Sequence, residues 1–428
     1  MAFAVSDERT VLWDQFEYSG APGDFSWVLP VLPGATLEAS TDAWFEALEA
    51  VTKTQVTSPQ LSCAQQDSGC GLGSKSFADS APGSGFFAGG GVAVLHEGTV
   101  GPYDTVTLRS TDGAALTDWL TMHGYFIPPE MEPVIADYTK AGDDFIAVRL
   151  QPGMGVQQMT PVRVVTPGGE YLLPLRMVAA GAGEKVDIVL YVIGEQRYAM
   201  PDLHEVSVDL SKLTWSFANN SNNYAELRRQ ALAQNLGFSY LPTFAKTGAF
   251  GGTLPGPSGG VATFSVSSNS GSRLYSNFAD LYFAQALAND GVSPDGCASI
   301  AFPLSSSNLV TTYASPTTVA ETELDCMNYS DISAALLGMH PSQVWLTRLE
   351  LDLPKEALSQ DCTVVPADSQ TQVSNQLLAQ RTSDRPSGCE EVVFESKLSR
   401  GLPTRTGALM FLSLAAAALW LRRRGGAC

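Results

Sequence analysis

The chain has 428 residues, 44% of them apolar and only 16% charged, which indicates a folded body with a real core. Its 44 acidic residues outnumber 25 basic ones, and the net charge of −19 argues against nucleic acid as a partner, because nothing neutralises a row of phosphates. The same charge disfavours peripheral docking on anionic lipid, since Lys and Arg are scattered except at the tail.

Residues 9–34 predict a β-hairpin or a pair of neighbouring strands. Val11, Trp13 and Phe16 lead into Tyr18, residues 19–24 turn the chain, and Phe25 to Val31 returns. Ser40, Thr41 and Asp42 offer cap oxygens to a helix with Trp44, Phe45, Leu48 and Val51 on one face. Residues 65–91, rich in Gly, Ser and Ala, read as a long loop. Strand patterns resume at 92–95 and 103–108. A helix from about Ala114 places Leu116, Trp119, Leu120 and His123 on one face and stops at Gly124. A second helix has Pro129 and Pro133 near its first turn and Met131, Val134, Ile135 and Tyr138 at helical spacing. Strands are then expected at 145–150, 162–165, 171–179 and 186–193, with turns at Pro167-Gly168-Gly169 and Gly181-Ala182-Gly183. Most of these strands are joined by short turns, so the fold class is α+β, a mainly antiparallel sheet with flanking helices.

A helix through Tyr224, Leu227 and Ala231 closes a first module, residues 1–245. Residues 246–275 read as a Gly/Ser-rich linker or loop. A second α+β part, 276–365, holds helices near 278–288 and 332–339 and a strand at 344–353. Residues 366–401, heavy in Ser, Gln, Thr and Asp, read as a polar stalk, and 402–428 as a transmembrane anchor with a basic tail. Thr406 to Leu421 carry no charge, with Leu409, Phe411, Leu414 and Leu419 supplying apolar bulk. Trp420 sits where an interfacial aromatic belongs, and Arg422, Arg423 and Arg424 follow at once. As a helix this run covers roughly 24 Å, short of a ~30 Å hydrocarbon core but close enough for snorkelling arginines to bridge. The membrane is therefore the expected partner of the C-terminal helix.

Six cysteines precede that run: Cys63, Cys70, Cys297, Cys326, Cys362 and Cys389. An even count in three sequence-local pairs fits disulfides in an oxidising compartment, although many connectivities are open. None has C-x-x-C spacing. A Cys63–Cys70 bridge is expected, because Gln65 to Gly69 form a flexible connection. The amino terminus, MAFAVSDERTVLWDQF, is not a signal peptide. Either the start lies upstream, or the tail is inserted after synthesis with the body in the cytosol. The first alternative also accounts for the cysteines and places the ectodomain outside the cytoplasm, in the periplasm or on the cell surface.

Three stretches together resemble an uncharacterised bacterial family of secreted or envelope proteins, domain of unknown function 2330. They are ERTVLWDQFEYSGAPGDFSWVLPV from Glu8, GPYDTVTLRSTDGAALTDWLTMHGYFIP from Gly101 running into DDFIAVRLQPG from Asp143, and LPLRMVAAGAGEKVDIVLYVIGEQRY from Leu173. The resemblance covers residues 8–230 well and 344–353 weakly. Members of that family carry a secretion signal and an extra cysteine-rich amino-terminal stretch, so the resemblance implies a start upstream of Met1. The tail resembles a myxobacterial sorting anchor, without the cysteine immediately before the apolar run. The family implies no catalytic residue.

Motifs for chemistry are weak. Gly256-Pro257-Ser258-Gly259-Gly260 matches the nucleophile-elbow pattern but lies in a glycine-rich loop without strand-turn-helix context. In Gly71-Leu72-Gly73-Ser74-Lys75-Ser76, Ser74 separates the lysine from the last glycine, which a phosphate loop does not tolerate. The four histidines, His96, His123, His204 and His340, are too dispersed for a metal pair. His123 reads as a helix cap. His204-Glu205 beside Asp202 is the best metal candidate, against plain strand-edge polarity, and Asp143-Asp144 is a calcium pair or an exposed turn. Trp13, Trp27, Trp44 and Trp119 read as core, with carbohydrate stacking as the alternative. No catalytic, cofactor or metal residue is assigned, and no cofactor is expected. The expected function is a membrane-anchored cell-envelope protein with a noncatalytic binding or structural ectodomain. An envelope hydrolase with an unrecognised active site is the alternative, and a cytosolic tail-anchored scaffold is a third reading if Met1 is the true start.

Overall fold

The structure is a computed structural model that describes residues 1–63, 92–254, 261–290, 331–384 and 389–391, apart from positions 7, 8, 17, 19, 170, 171, 180, 269 and 270. Of these, residues up to 59 and between 92 and 384 belong to one compact unit, and residues 60–63 and 389–391 to a second.

The chain begins with β1 (Ala2–Val5), β2 (Arg9–Asp14), β3 (Ser26–Val31), β4 (Thr36–Ala39), α1 (Asp42–Thr52), β5 (Gln55–Thr57) and β6 (Leu61–Cys63). The hairpin β7 (Ala93–Val100) and β8 (Tyr103–Arg109) leads to α2 (Gly113–Met122), α3 (Glu132–Ala141) and β9 (Asp144–Leu150). After β10 (Val162–Pro167), β11 (Leu172–Leu173) and α4 (Leu175–Val178) comes the long strand β12 (Lys185–Gly194). Short strands β13 (Tyr198–Ala199), β14 (His204–Glu205), β15 (Thr214–Ser216) and β16 (Ser221–Asn222) precede α5 (Tyr224–Leu232) and β17 (Ser239–Thr247). Then follow the hairpin β18 (Phe264–Ser268) and β19 (Gly271–Tyr275), α6 (Phe278–Asp290), α7 (Asp331–Leu336) and β20 (Trp345–Pro354). The last elements are β21 (Cys362–Thr363), β22 (Val365–Pro366), β23 (Gln376–Leu378), β24 (Arg381–Asp384) and β25 (Cys389–Glu391).

Two sheets organise the first unit, an eight-stranded one in the order β14-β17-β20-β12-β1-β2-β10-β4 and a four-stranded one in the order β3-β9-β8-β7. Alternation along the strands explains why they stack. In β12, Ile188, Leu190 and Val192 join Leu29, Ile146 and Val148 in a core between the sheets, while Tyr191 and Ile193 point into a core with helices α1, α6 and α7. The four-stranded sheet buries Val106, Leu108 and Phe145 on its other face against Leu116, Trp119 and Ile135 of α2 and α3. The layers therefore run helix, sheet, sheet, helix. Within these two sheets the pairing is antiparallel except for parallel contacts of β1 with β12 and β14 with β17, and the small pairs β15–β24 and β5–β23 are parallel as well.

Local chemistry fixes the helices. Thr41 holds the N-cap position of α1 but its side chain makes no cap hydrogen bond, so the expected side-chain cap is absent there and the helix rests on its buried face of Trp44, Phe45, Leu48 and Val51. Trp44 lies 5.5 Å from Trp13 between ring centroids and meets Phe278 and Tyr282 of α6 edge-on. Burying an aromatic of this kind contributes roughly 1.5–3 kcal/mol relative to leaving it exposed. Asp112 caps α2 by accepting from Ala114 N at 2.9 Å, and α3 ends at Gly142 with φ of 96°, the left-handed closure glycine allows. A Cβ on Gly113 would stand 2.6 Å from Ala136 Cα, so glycine is what lets α2 approach α3.

Several sequence expectations are corrected. Residues 9–34 are not a hairpin: β2 belongs to the eight-stranded sheet and β3 to the other. The connection crosses between sheets, where Phe16 packs edge-on against Phe25, Trp27 and Tyr103. The expected strand at 171–179 ends at Leu173, because Pro174 has no N–H to continue a ladder, and α4 starts with Asp361 accepting from Arg176 N at 3.0 Å. Residues 246–275 are not a plain linker, since Ala249, Phe250, Leu254 and Val266 are buried in the helix-side core. Nor do 1–245 and 276–365 separate into modules, because β20 inserts between β12 and β17. Within the expected stalk, β23 pairs with β5 and β24 with β15, Ala379 is fully buried, and Asn375 Nδ2 donates to Val51 O and Lys53 O at 2.9 and 3.0 Å. Its polar side chains serve backbone groups of the folded body, which composition alone cannot distinguish from solvation.

Among the described residues no helix is long and apolar enough to cross a membrane. The anchor residues Leu409, Phe411, Leu414, Leu419, Trp420, Arg422, Arg423 and Arg424 lie outside the described residues.

Candidate functional site

A buried polar constellation lies on the helix-side face of the large sheet, where α1 and α5 meet β12, β17 and β20. From Arg348 to Leu353 the sequence RLELDL of β20 alternates, so Leu349, Leu351 and Leu353 turn to the inter-sheet core while Arg348 and Glu350 turn to the helices. Both charged residues are 5% exposed, so each needs a partner. Arg348 bridges Glu49 of α1 and Glu350, its Nε standing 3.0 Å from Glu350 Oε1. Glu350 also binds Arg228 of α5 and accepts from Thr243 Oγ1 at 3.2 Å, and Arg228 reaches the exposed Asp187 at 3.5 Å. Tyr191 completes the set by donating to Glu49 Oε2 at 2.9 Å.

Electrostatics keep Glu49 an anion and Arg348 and Arg228 cations. Burial alone would raise the Glu49 carboxyl, but the Arg348 guanidinium and hydrogen bonds from Arg348, Tyr191 and Lys53 hold it below its ordinary value. Burial raises the Tyr191 phenol, which Arg348 opposes and the carboxylates reinforce, so the hydroxyl remains a donor. The signs alternate, each charge is matched, and the arrangement fastens two helices to the sheet. A second buried cluster centres on Asp331, fully enclosed, which accepts from Trp13 Nε1 at 2.8 Å, Arg163 Nη1 at 2.9 Å and Tyr282 OH at 3.2 Å. Neither cluster presents a nucleophile beside a free base. Between the sheets a cavity of about 30 Å³, flanked by Thr10 and Thr166, has room for a water-sized occupant.

Sequence-based candidates fare differently. His123 Nδ1 lies 2.7 Å from Trp119 O, and its ring stacks on Trp119, as a cap should. His204 and Glu205 are exposed in β14 at the sheet edge. Asp202 instead accepts from Thr363 N and Oγ1, and Glu205 binds Arg197 and Tyr240. Among the described residues no three His, Cys, Asp or Glu side chains gather for a metal. Asp144 is not an exposed turn residue; it is 1% exposed and grips Arg109 in a two-pronged ion pair at 2.6 and 2.7 Å. Trp13, Trp44 and Trp119 are buried, whereas Trp27 is only partly buried.

Cys362 is a buried free thiol packed with Leu173, its pKa pushed up to about 11 by burial and then by Asp202 and Asp361. Ser258, the Gly71–Ser76 segment, Cys70, Cys297 and Cys326 lie outside the described residues. The Glu49–Arg348–Glu350–Arg228 chain was missed by sequence reading. Alternation in β20 marks its polar face, but the partner Glu49 is 299 positions away.

No curated protein and no solved structure matches the chain. The matched family extends over the three resembling stretches, while β20, with Arg348 and Glu350, falls beyond its range. With residues 1–239 matched, the chain belongs to the bacterial family described as uncharacterized protein conserved in bacteria, domain of unknown function 2330.

Proposed function

We propose that this protein is a membrane-anchored component of the bacterial cell envelope whose folded body serves as a noncatalytic binding or structural ectodomain. The observation that carries the reading is the uncharged run Thr406 to Leu421, closed by Trp420 and three arginines. The cysteines ahead of that run other than the buried thiol Cys362 support an oxidising location outside the cytoplasm, with disulfides among them. The buried charges of the body are spent on one another, which suits a scaffold.

Carbonate extraction of membranes carrying either the full chain or a chain lacking residues 402–428 tests the anchor. The full chain is expected in the pellet and the truncated chain in the supernatant. A truncated chain that still pellets rejects the tail as sole anchor. An esterase and peptidase screen tests the noncatalytic part, and hydrolysis abolished by Ser258→Ala or His204→Ala would replace it with an envelope hydrolase.

A further inference from the structure

The second unit contains one described pair of strands, β6 and β25, joined antiparallel with Cys389 directly opposite Cys63, Glu390 opposite Ser62 and Glu391 opposite Leu61. Directly opposed residues of an antiparallel pair have Cα atoms about 4.5–5.5 Å apart, within the span of about 4.4–6.8 Å that a disulfide bridges. The chain holds seven cysteines in 428 residues, and two of them terminate these two strands in register. Three-residue strands provide little ladder energy of their own, so a covalent tie at their end is what would make such a pairing persist. Cys362, the nearest earlier cysteine in sequence to Cys389, is already placed as a buried free thiol.

We infer that Cys63 and Cys389 form a cross-strand disulfide that ties the segment after β5 to the segment leading into the membrane anchor. The connectivity differs from a local Cys63–Cys70 bridge: it closes a loop of about 325 residues rather than about eight, and long loops are those whose closure most restricts the unfolded chain. Formation removes one proton and one electron from each thiol and makes one S–S bond. The two electrons pass to an oxidised disulfide acceptor, which is reduced to two thiols. In the cell this requires an oxidising compartment, so occurrence there rests on the envelope reading above, whereas the pairing itself does not.

The test equilibrates the full chain, solubilised in mild detergent, with reduced and oxidised glutathione across a range of ratios, followed by alkylation and non-reducing peptide mapping. The expected result is a linked peptide containing Cys63 and Cys389, lost in both Cys63→Ser and Cys389→Ser. A faster band on non-reducing electrophoresis should accompany it, because a long closed loop compacts the denatured chain. Linkage of Cys63 to Cys70, or both thiols free at every ratio, overturns the inference. Mapping of alkylated protein from intact cells is the separate arm. A pair that links in glutathione buffer but is reduced in the cell leaves the geometry standing and removes the exported location.

Discussion

Tyr191 and Arg348 face one another across the β12–β20 ladder, the guanidinium carbon 5.6 Å from the ring centre, and both bind the same Glu49 carboxylate. The tyrosine supplies a neutral donor and an aromatic face, and the arginine supplies charge. The carboxylate of α1 is therefore fixed from two directions in the last turn of the helix. This closed triangle explains how a charged residue occupies the middle of a central strand.

Arg348→Met should destabilise the protein by about 3–5 kcal/mol, because it leaves the buried Glu350 and the half-buried Glu49 without their shared partner. Urea unfolding of the variant beside the parent measures it. A loss below about 1 kcal/mol would show that Arg228 alone satisfies Glu350.

Acid should weaken the parent more than Glu49→Gln. The folded Glu49 carboxyl lies below its ordinary value of 4.5, so between those two values the unfolded chain binds more protons than the folded one. The stabilisation is thus complete above about pH 4.5 and is lost as pH falls through the folded value. Unfolding midpoints followed from pH 6 down to about pH 3 should show a shallower decline in Glu49→Gln. Parallel curves would mean that Glu49 gains nothing from Arg348.

Tryptophans at similar sequence spacing should differ in cost. Trp13→Ala and Trp44→Ala remove fully enclosed rings that touch each other, at about 3–5 kcal/mol each. Trp27→Ala should cost under about 2 kcal/mol, because its ring is partly exposed beside Phe16. Thermal unfolding of the three variants ranks them, and an equal loss for Trp27 would contradict its position.

Much of the body was legible because its signals are local. Gly124 marks the end of α2, the runs at 186–193 and 344–353 mark β12 and β20, and the Trp44-Phe45-Leu48-Val51 spacing marks the buried face of α1. What depended on partners at long range was not. β2 and β3 have matching patterns, yet the patterns carry no statement of which sheet each joins. Polarity in residues 366–384 suggested a solvated stalk, whereas Asn375 and Asp384 spend it on the carbonyls and amides of other elements. The charge chain around Arg348 was hidden for the same reason, because its members come from four separate stretches.

The assignment of residues 366–384 to the folded body leads to a contrast between two truncations. Ending the chain after residue 401 removes the apolar tail and leaves every described strand in place, so the unfolding midpoint should stay with that of the full chain. Ending it after residue 365 removes β23 and β24, and with them the partners of β5 and β15. It also strips Asn375 from the carbonyls of Val51 and Lys53 just past α1, and Asp384 from Ser216 Oγ and the Phe217 amide. Leu213 and Leu227 lose the buried Ala379 from their cluster. Each lost hydrogen-bond partner of a buried group costs about 1–3 kcal/mol, so the shorter chain should lose several kcal/mol or fail to fold. Far-ultraviolet circular dichroism with thermal unfolding separates the outcomes. If the chain ending at residue 365 melts like the one ending at residue 401, the segment is a dispensable stalk after all.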